Sequence, residues 1–305
     1  MTEPIATFAA SRIEGSPTVV GCRRMSSGFA NANYRLETNA GTFLLRDCKS
    51  RSLASVEHEL EVLKWLHAGE FPVAAPIPFA GGERWITSPG GSHLILLEFL
   101  DGSEPSPNPT TVAAIGDALG KLHQLPKPDG NWWRRENTED WDDFAPGLIQ
   151  STDPDSPEPN QFFVEHFRRL ESQLSESIPT GFTHGDVFTD NTLFRDNQLV
   201  AILDFECARE DSLLHDIAMT IHGFCYPDET WRPDLAKILL EAYEKHRSLT
   251  EEERALMPVY LQWSPLILMG WHLAELQRRP DPGNHKRAAE HQRRMQRMAQ
   301  ENWKP

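Results

Sequence analysis

Cysteine is scarce in this chain, and the few thiols do not cluster. Cys22, Cys48, Cys207 and Cys225 are the only four in 305 residues, and none forms a close Cys-x-x-Cys pair. That pattern gives neither a zinc site nor a disulfide framework. Long apolar runs are also missing. Stretches such as 94–97 and 266–270 fall far short of a membrane span. Residues 1–10 carry no positive charge ahead of an apolar run, so no signal peptide is read there and a reducing, cytoplasmic setting is expected. Basic charge is in deficit: 30 Lys and Arg stand against 45 Asp and Glu, a formal net charge of -15. Such a chain repels phosphate backbones. Its most basic stretch, 286–297, is interrupted by Glu290 and reads as a solvated helix face. Neither nucleic acid nor a membrane is expected as a partner. No internal repeat and no low-complexity tract occurs.

What remains is an ordinary globular balance, 39% hydrophobic and 25% charged. The length exceeds the usual size of one compact core, so one large domain or two lobes is expected. The first hundred residues read as strand-rich, with short strands at 18–20, 33–37 and 42–46 and a hairpin turn at Asn39-Ala40-Gly41. Leu53, Val56, Leu60, Leu63 and Leu66 recur at threes and fours, which predicts a helix over 53–66. Pro72, Pro76 and Pro78 end helical structure, and strands are expected at 84–87 and 93–97. Leu100-Asp101-Gly102 and the Ser/Pro run to Pro109 mark a hinge-like change of composition. Helical periodicity then dominates, at 110–125, 161–174, 213–224, 232–246 and 251–277, interrupted by a β-rich island at 182–204. The stretch 126–160 is long, polar and rich in Pro and Trp, a composition of functional or disordered loops.

That β-rich island carries the chemistry. It contains Thr183-His184-Gly185-Asp186 and then Asn191, with Asp204 following in Ile202-Leu203-Asp204-Phe205. Phosphoryl transfer to a hydroxyl needs one carboxylate to orient the hydroxyl and accept its proton. It also needs separate oxygen ligands for the metal that neutralises the phosphates. The interval from Asp186 to Asn191 equals that of the protein-kinase catalytic loop, with Asp204 in place of the later metal aspartate. A cation is then expected on the third strand, paired with a helix glutamate. Arg46 and Glu59 occupy those positions, and Lys49 is a competing cation. Arginine keeps its charge and grips phosphate with a planar fork, so the departure from lysine is compatible with that role. Ser26-Ser27-Gly28 holds a single glycine, yet its backbone N–H groups and hydroxyls suit phosphate oxygens.

These residues give the chain its resemblance to the aminoglycoside phosphotransferase-like small-molecule kinases, which use His-Gly-Asp in the catalytic loop. The resemblance covers nearly the whole chain. Gly28-Phe-Ala-Asn-Ala-Asn-Tyr34 is similar to the nucleotide-covering hairpin of that family, and Gly120-Lys-Leu-His-Gln124 to a stretch early in its second lobe. It implies an α+β, two-lobed, protein-kinase-like fold, with a small antiparallel-sheet lobe over 1–98 and a larger, mainly helical lobe over 99–305. ATP and Mg2+ are expected in the cleft, with in-line transfer to a small-molecule alcohol or amino-alcohol acceptor. By the same resemblance Asp186 is the catalytic base, and Asn191 and Asp204 bind magnesium. Ser26, Ser27, Gly28, Arg46 and Glu59 face the nucleotide, and the backbone of Glu98 and Leu100 meets the adenine edge. His184 orders the loop, and Asp216 caps or orients it.

The acceptor is narrowed less. Residues 28–34 and 188–194 resemble the homoserine kinase branch most closely, which makes homoserine the expected acceptor. Asp204-Phe-Glu-Cys-Ala208 lacks the aromatic residues associated with that branch, so choline, ethanolamine, aminoglycosides and sugars stay open. Trp132, Trp133 and Trp141 either hold an acceptor by their faces or pin the insert. The acidic segment 136–143 either meets an amine or is solvated, and Glu206, Asp211 and His222 are candidates for the acceptor side. A protein kinase is disfavoured because helical sequence resumes at Asp211, leaving little room for an activation segment, and because Gly185 replaces the loop arginine. A non-catalytic scaffold would have lost Asp186, Asn191 or Asp204; all are present.

Overall fold

The computed structural model describes residues 2–25, 31–49, 51–134, 144–278, 281–301 and 303–305. The chain begins with α1 (Thr2–Ala10), β1 (Val19–Arg24), β2 (Ala32–Thr38), β3 (Gly41–Cys48), α2 (Leu53–Ala68), β4 (Pro76–Ile77), β5 (Ile86–Thr87) and β6 (His93–Glu98). Then come α3 (Pro109–Leu122), α4 (Phe144–Ser151), α5 (Glu158–Glu171), β7 (Thr180–Thr183), β8 (Thr192–Arg195), β9 (Gln198–Ile202) and β10 (Arg209–Ser212). Helices α6 (Leu213–Phe224), α7 (Pro233–Tyr243), α8 (Glu251–Arg278) and α9 (Pro282–Glu301) complete it. The residues group into two compact units, one of Met1–Pro105 with Asp190–Ala208, the other of Ser106–Thr189 with Arg209–Pro305. The hairpin β8–β9 therefore clusters with the N-terminal elements, a grouping that a linear division at residue 98 does not contain.

In the first unit an antiparallel sheet runs in the order β1-β2-β3-β6-β4, with β5 also paired to β6. Register is set by the tight β2–β3 turn, where Thr38 faces Gly41 across Asn39 and Ala40. The Thr38 hydroxyl donates to the Gly41 carbonyl at 2.9 Å. Alternation along β2 turns Ala32, Tyr34 and Leu36 inward, onto a core shared with Leu45, Leu94 and Leu96. Helix α1, which the sequence pattern did not reveal, adds Ala6 and Ala9 to that core. On α2 the expected stripe Val56, Leu60, Leu63 and Leu66 is buried, and Ser52 caps the helix by accepting from Ser55 N. Glu59 lies on the same buried face. Asp196 and Asn197 join β8 to β9 with φ of 51° and 62°, values that asparagine and aspartate tolerate better than other side chains. The hairpin is tied down by reciprocal Ser103–Phe194 backbone bonds of 2.9 Å and by Ile202 N donating to Pro72 O at 2.9 Å.

The second unit is mainly helical, with one short antiparallel pair, β7 with β10. Helix α6 is buried on nearly every side, His215, Asp216, Thr220 and His222 included. Such a helix needs partners for its polar groups. Phe163, Trp263, Leu266 and Met269 lead a second core that joins α5, α8 and α9. The helices start and stop within a few residues of the periodicity, α5 earlier because Pro157 caps it and a proline opens its first turn. The insert at 126–160 is not wholly irregular, since α4 buries Phe144, Ala145 and Leu148. Trp133 is buried, and its carbonyl accepts from Glu210 N at 2.7 Å, so it pins the insert to β10. Trp141 and the acidic segment 136–143 lie outside the described residues. No helix among the described residues is long and apolar enough to cross a membrane.

Helix α3 approaches α7 at Gly116, where a Cβ would stand 2.3 Å from the Leu239 carbonyl oxygen. Gly116→Ala is expected to cost about 1–3 kcal/mol by overpacking, seen as a Tm lower by several degrees in a thermal melt.

Candidate active site

Strand β3 places Arg46 opposite Asn33 on β2 and Ile95 on β6. Its guanidinium is buried, donates from Nε to Asn33 Oδ1 at 3.1 Å and reaches Glu59 Oε1 from Nη1 at 2.6 Å. The second Glu59 oxygen is taken by Arg51. Arg51 in turn lies 3.4 Å from Glu206 Oε2 and donates to the Ser55 carbonyl at 2.8 Å. Burying charges costs free energy that only close, well-paired opposite charges offset. Burial alone would lower the Arg46 pKa, but Glu59 and Asp204 override it and the net shift is upward. Burial would likewise raise the Glu59 carboxyl, and the two guanidiniums hold it below the usual range instead. Glu206 is pushed up to about 7, first by burial and then by the Asp204 charge, with Arg51 opposing. Lys49, beyond the end of β3, is 55% exposed at its side chain and lies 3.6 Å from Asp47.

The β8–β9 pairing brings Asn191 and Asp204 to one end of the hairpin, with Thr192 opposite Ile202 and Leu203 N donating to Asn191 O at 2.8 Å. Asp204 adopts φ 61° and ψ 63°, the left-handed region. That conformation is uncommon for a side chain and costs on the order of 1 kcal/mol. Oδ1 of Asp204 is buried with no hydrogen-bond donor, and Arg46 Nη1 stands 3.7 Å away. A buried carboxylate oxygen placed this way can accept a cation. Among the described residues no group of three or more His, Cys, Asp or Glu is arranged to hold a metal by itself. One carboxylate and one amide oxygen instead match a hard divalent cation that takes its other ligands from phosphates and water. Behind Asp204, the Ala208 carbonyl accepts from His58 Nε2 of α2 at 2.6 Å, and the Phe205 ring meets Phe71 edge-on at 6.5 Å.

In the second unit β7 ends at Thr183 and leads into the Asp186 turn. Gly185 has φ 85°, a conformation that glycine adopts freely. The turn hangs on Asp216, whose Oδ2 accepts from His184 N at 2.8 Å and whose Oδ1 accepts from Gly185 N at 2.8 Å. Burial would raise the Asp216 pKa, but hydrogen bonding from His123 and from the His184 N–H lowers it, so Asp216 is held as a carboxylate. Asp186 N donates to His184 Nδ1 at 3.1 Å, so the imidazole orders the turn from within. Asp186 itself is half-buried. Val187 is accommodated because α6 carries Gly223 there, where a Cβ would stand 2.3 Å from the Val187 carbonyl oxygen.

The expected residues thus fall into described and undescribed sets. Arg46, Glu59, Asn191 and Asp204 belong to the first unit, Asp186 to the second. Glu98 ends β6 opposite Phe43, with its N–H donating to Ala75 O at 2.8 Å, and Leu100 is half-buried just beyond. Ser26, Ser27 and Gly28 lie outside the described residues. Glu206, which the sequence offered for the acceptor side, pairs with Arg51. Arg51 itself was missed. Its signal was available in the helical spacing of Arg51, Ser55 and Glu59, which places them on one face.

Comparison with known proteins makes the chain a small-molecule phosphotransferase with a hydroxyl acceptor and a protein-kinase-like fold. Residues 21–256 match the profile of the phosphotransferase enzyme family, APH, and the chain belongs to that family. It is 29% identical over 248 residues to the homoserine kinase of Nitrobacter hamburgensis, covering 79% of this chain and 75% of the relative. Among solved structures it is similar to a microcompartment-associated aminopropanol kinase, with a TM-score of 0.74, 18% identity and coverage of 97% and 96% of the two chains. It is also similar to the amicoumacin kinase hAmiN in complex with AMP-PNP, Ca2+ and Ami, with a TM-score of 0.70, 15% identity and coverage of 90% and 88%.

Glu59→Ala leaves two buried guanidiniums without their shared anion. It is expected to destabilise the protein by about 3–5 kcal/mol, measured as a lower urea midpoint, whereas Arg35→Ala, which removes a half-exposed pair with Glu37, should change it by less than about 1 kcal/mol.

Proposed function

We propose that this enzyme transfers the γ-phosphoryl group of ATP to the hydroxyl of a small amino alcohol, homoserine foremost, with Mg2+ as the cation. The observation that carries the proposal is the buried, donor-free Oδ1 of Asp204 beside Arg46, on the same hairpin end as Asn191. Bound Mg2+ supplies charge neutralisation on the phosphate oxygens. Asn191 and Asp204 hold the cation, and Arg46, kept in place by Glu59, directs positive charge to the nucleotide phosphates. Ser26, Ser27 and Gly28 are assigned to phosphate oxygens, and the backbone of Glu98 and Leu100 to the adenine edge. Asp186 orients the acceptor hydroxyl and takes its proton as the oxygen attacks in line. Residues 1–98 form the nucleotide-covering lobe and residues 99–305 the catalytic and acceptor-binding lobe, which also supplies Leu100, Asn191 and Asp204 to the nucleotide and its cation. The four cysteines are free thiols, which fits a reducing cytoplasm.

Homoserine draws support from the homoserine kinase relatives, 29% identical in the case of Nitrobacter hamburgensis. A second reading, an amino alcohol without a carboxylate such as ethanolamine or choline, draws on Phe205, Glu206, Cys207 and Ala208, which lack the aromatic pattern expected of a homoserine kinase after the metal aspartate. Likeness to the aminopropanol kinase adds only the fold.

ADP release from Mg2+-ATP, measured across L-homoserine, ethanolamine, choline, methylthioribose and kanamycin, separates these readings. Turnover is expected with L-homoserine; turnover only with ethanolamine or choline favours the second reading, and no nucleotide binding at all overturns both. Asp186→Ala is expected to lower kcat by about 10²–10⁴-fold while ATP still binds, and full activity in that variant sinks the base assignment. Asp204→Ala should shift the Mg2+ titration of nucleotide binding to higher concentration.

A further inference from the structure

Behind the Asp186 turn, the second unit holds a line of buried polar groups that the proposed reaction does not use. His123 follows α3 as its C-terminal cap, Tyr243 ends α7, Arg247 follows, and Glu253 stands in the first turn of α8. His123 Nε2 lies 3.0 Å from Asp216 Oδ2, and His123 Nδ1 lies 2.8 Å from the Tyr243 hydroxyl. Arg247 donates from Nε to that hydroxyl at 2.7 Å and from Nη1 to Glu253 Oε2 at 3.0 Å. Glu253 Oε2 also accepts from Thr250 N at 2.8 Å. The side chains of His123 and Asp216 are both fully buried, as are Tyr243 and Glu253.

The direction of these bonds follows from the chemistry of the groups. Arginine has only donors, so the Tyr243 oxygen accepts from Arg247. The Tyr243 proton is then directed at His123 Nδ1, and His123 carries its own proton on Nε2, aimed at Asp216. In this order every group in the line is satisfied, and Asp216 accepts from His123, His184 and Gly185. The opposite tautomer would set a ring lone pair against a carboxylate oxygen. A fully satisfied buried network fixes its members in one geometry. Here the member at its end carries the two peptide N–H groups that precede Asp186.

We propose that Tyr243 is a positioning residue for phosphoryl transfer: anchored by Arg247 and Glu253, its hydroxyl holds the His123 imidazole against the Asp216 carboxylate that fixes the Asp186 turn. This rests on Asp186 being the base. Gly185 precedes Asp186 with φ 85°, and the His184 and Gly185 N–H bonds to Asp216 restrict where the Asp186 carboxylate points. Small misplacements of a catalytic group cost large factors in rate, whereas nucleotide affinity has no reason to follow.

The test is ADP release from Mg2+-ATP with L-homoserine and, in parallel, with water alone as acceptor. Tyr243→Phe keeps the ring and removes the hydroxyl; kcat is expected to fall about 5–10-fold with the KM for ATP within about twofold. His123→Ala should lose more, and His123→Gln, whose amide N–H reaches toward Asp216, should recover most of the rate. Because the relay acts through Asp186, adding Tyr243→Phe to Asp186→Ala should slow the residual rate no further. Native kcat in Tyr243→Phe, or an equal loss in both backgrounds, overturns the relay while leaving the base assignment standing. Native turnover in Asp186→Ala instead removes the base, and the relay's role with it.

Discussion

Burying Glu59 between two guanidiniums commits the first unit to one arrangement. A carboxylate with almost no solvent contact can remain ionised only where Arg46 and Arg51 both reach it. Arg46 comes from β3 and Arg51 precedes α2, so the pair fixes the helix against the sheet. Arg51 then meets Glu206, and Arg46 stands near Asp204, which extends the same charge pattern to the segment after β9. The left-handed Asp204 is held there by neighbours on each side: Leu203 bonded to Asn191, and Ala208 bonded to His58. An uncommon backbone conformation persists only where its surroundings determine it this closely.

The second unit solves a comparable problem by hydrogen bonding. Asp216 lies inside a helix that is buried on nearly every side, and among the described residues its ion-pair partner is His123 rather than an arginine. Peptide N–H groups of the Asp186 turn and the imidazole of His123 take that place. The result links chemistry to packing, because the carboxylate that the core must satisfy is the one that holds the turn.

Family membership accounts for the reaction type and leaves the acceptor open. The homoserine kinase relatives and the aminopropanol kinase fold differ in whether the acceptor bears a carboxylate. Resolving that choice depends on the positive and negative groups facing the acceptor, a question of local chemistry that the shared fold does not answer.

The sequence by itself determined a good deal. Periodicity identified α2, α6 and α8 because a buried helical stripe repeats at threes and fours, and Asn39-Ala40-Gly41 marked its hairpin because that turn needs a glycine at Gly41, with φ 143°. The likeness of residues 183–191 to a kinase catalytic loop was legible because such chemistry imposes spacing within a single segment. Other features lacked such a signal. Helix α1 is short, and α4 sits in a polar, proline-rich stretch whose composition speaks for a loop. The sequence already favoured Arg46 over Lys49 as the partner of Glu59, because Lys49 falls three residues further along; in the fold Arg46 reaches Glu59 at 2.6 Å and Lys49 lies exposed past the end of β3 at Cys48. The pairing of Arg51 with Glu206, and the line from Glu253 through Tyr243 and His123 to Asp216, join residues far apart in the chain. Tertiary structure alone decided those, because burial makes each polar group's need for a partner absolute, and only the folded chain shows which partner is within reach.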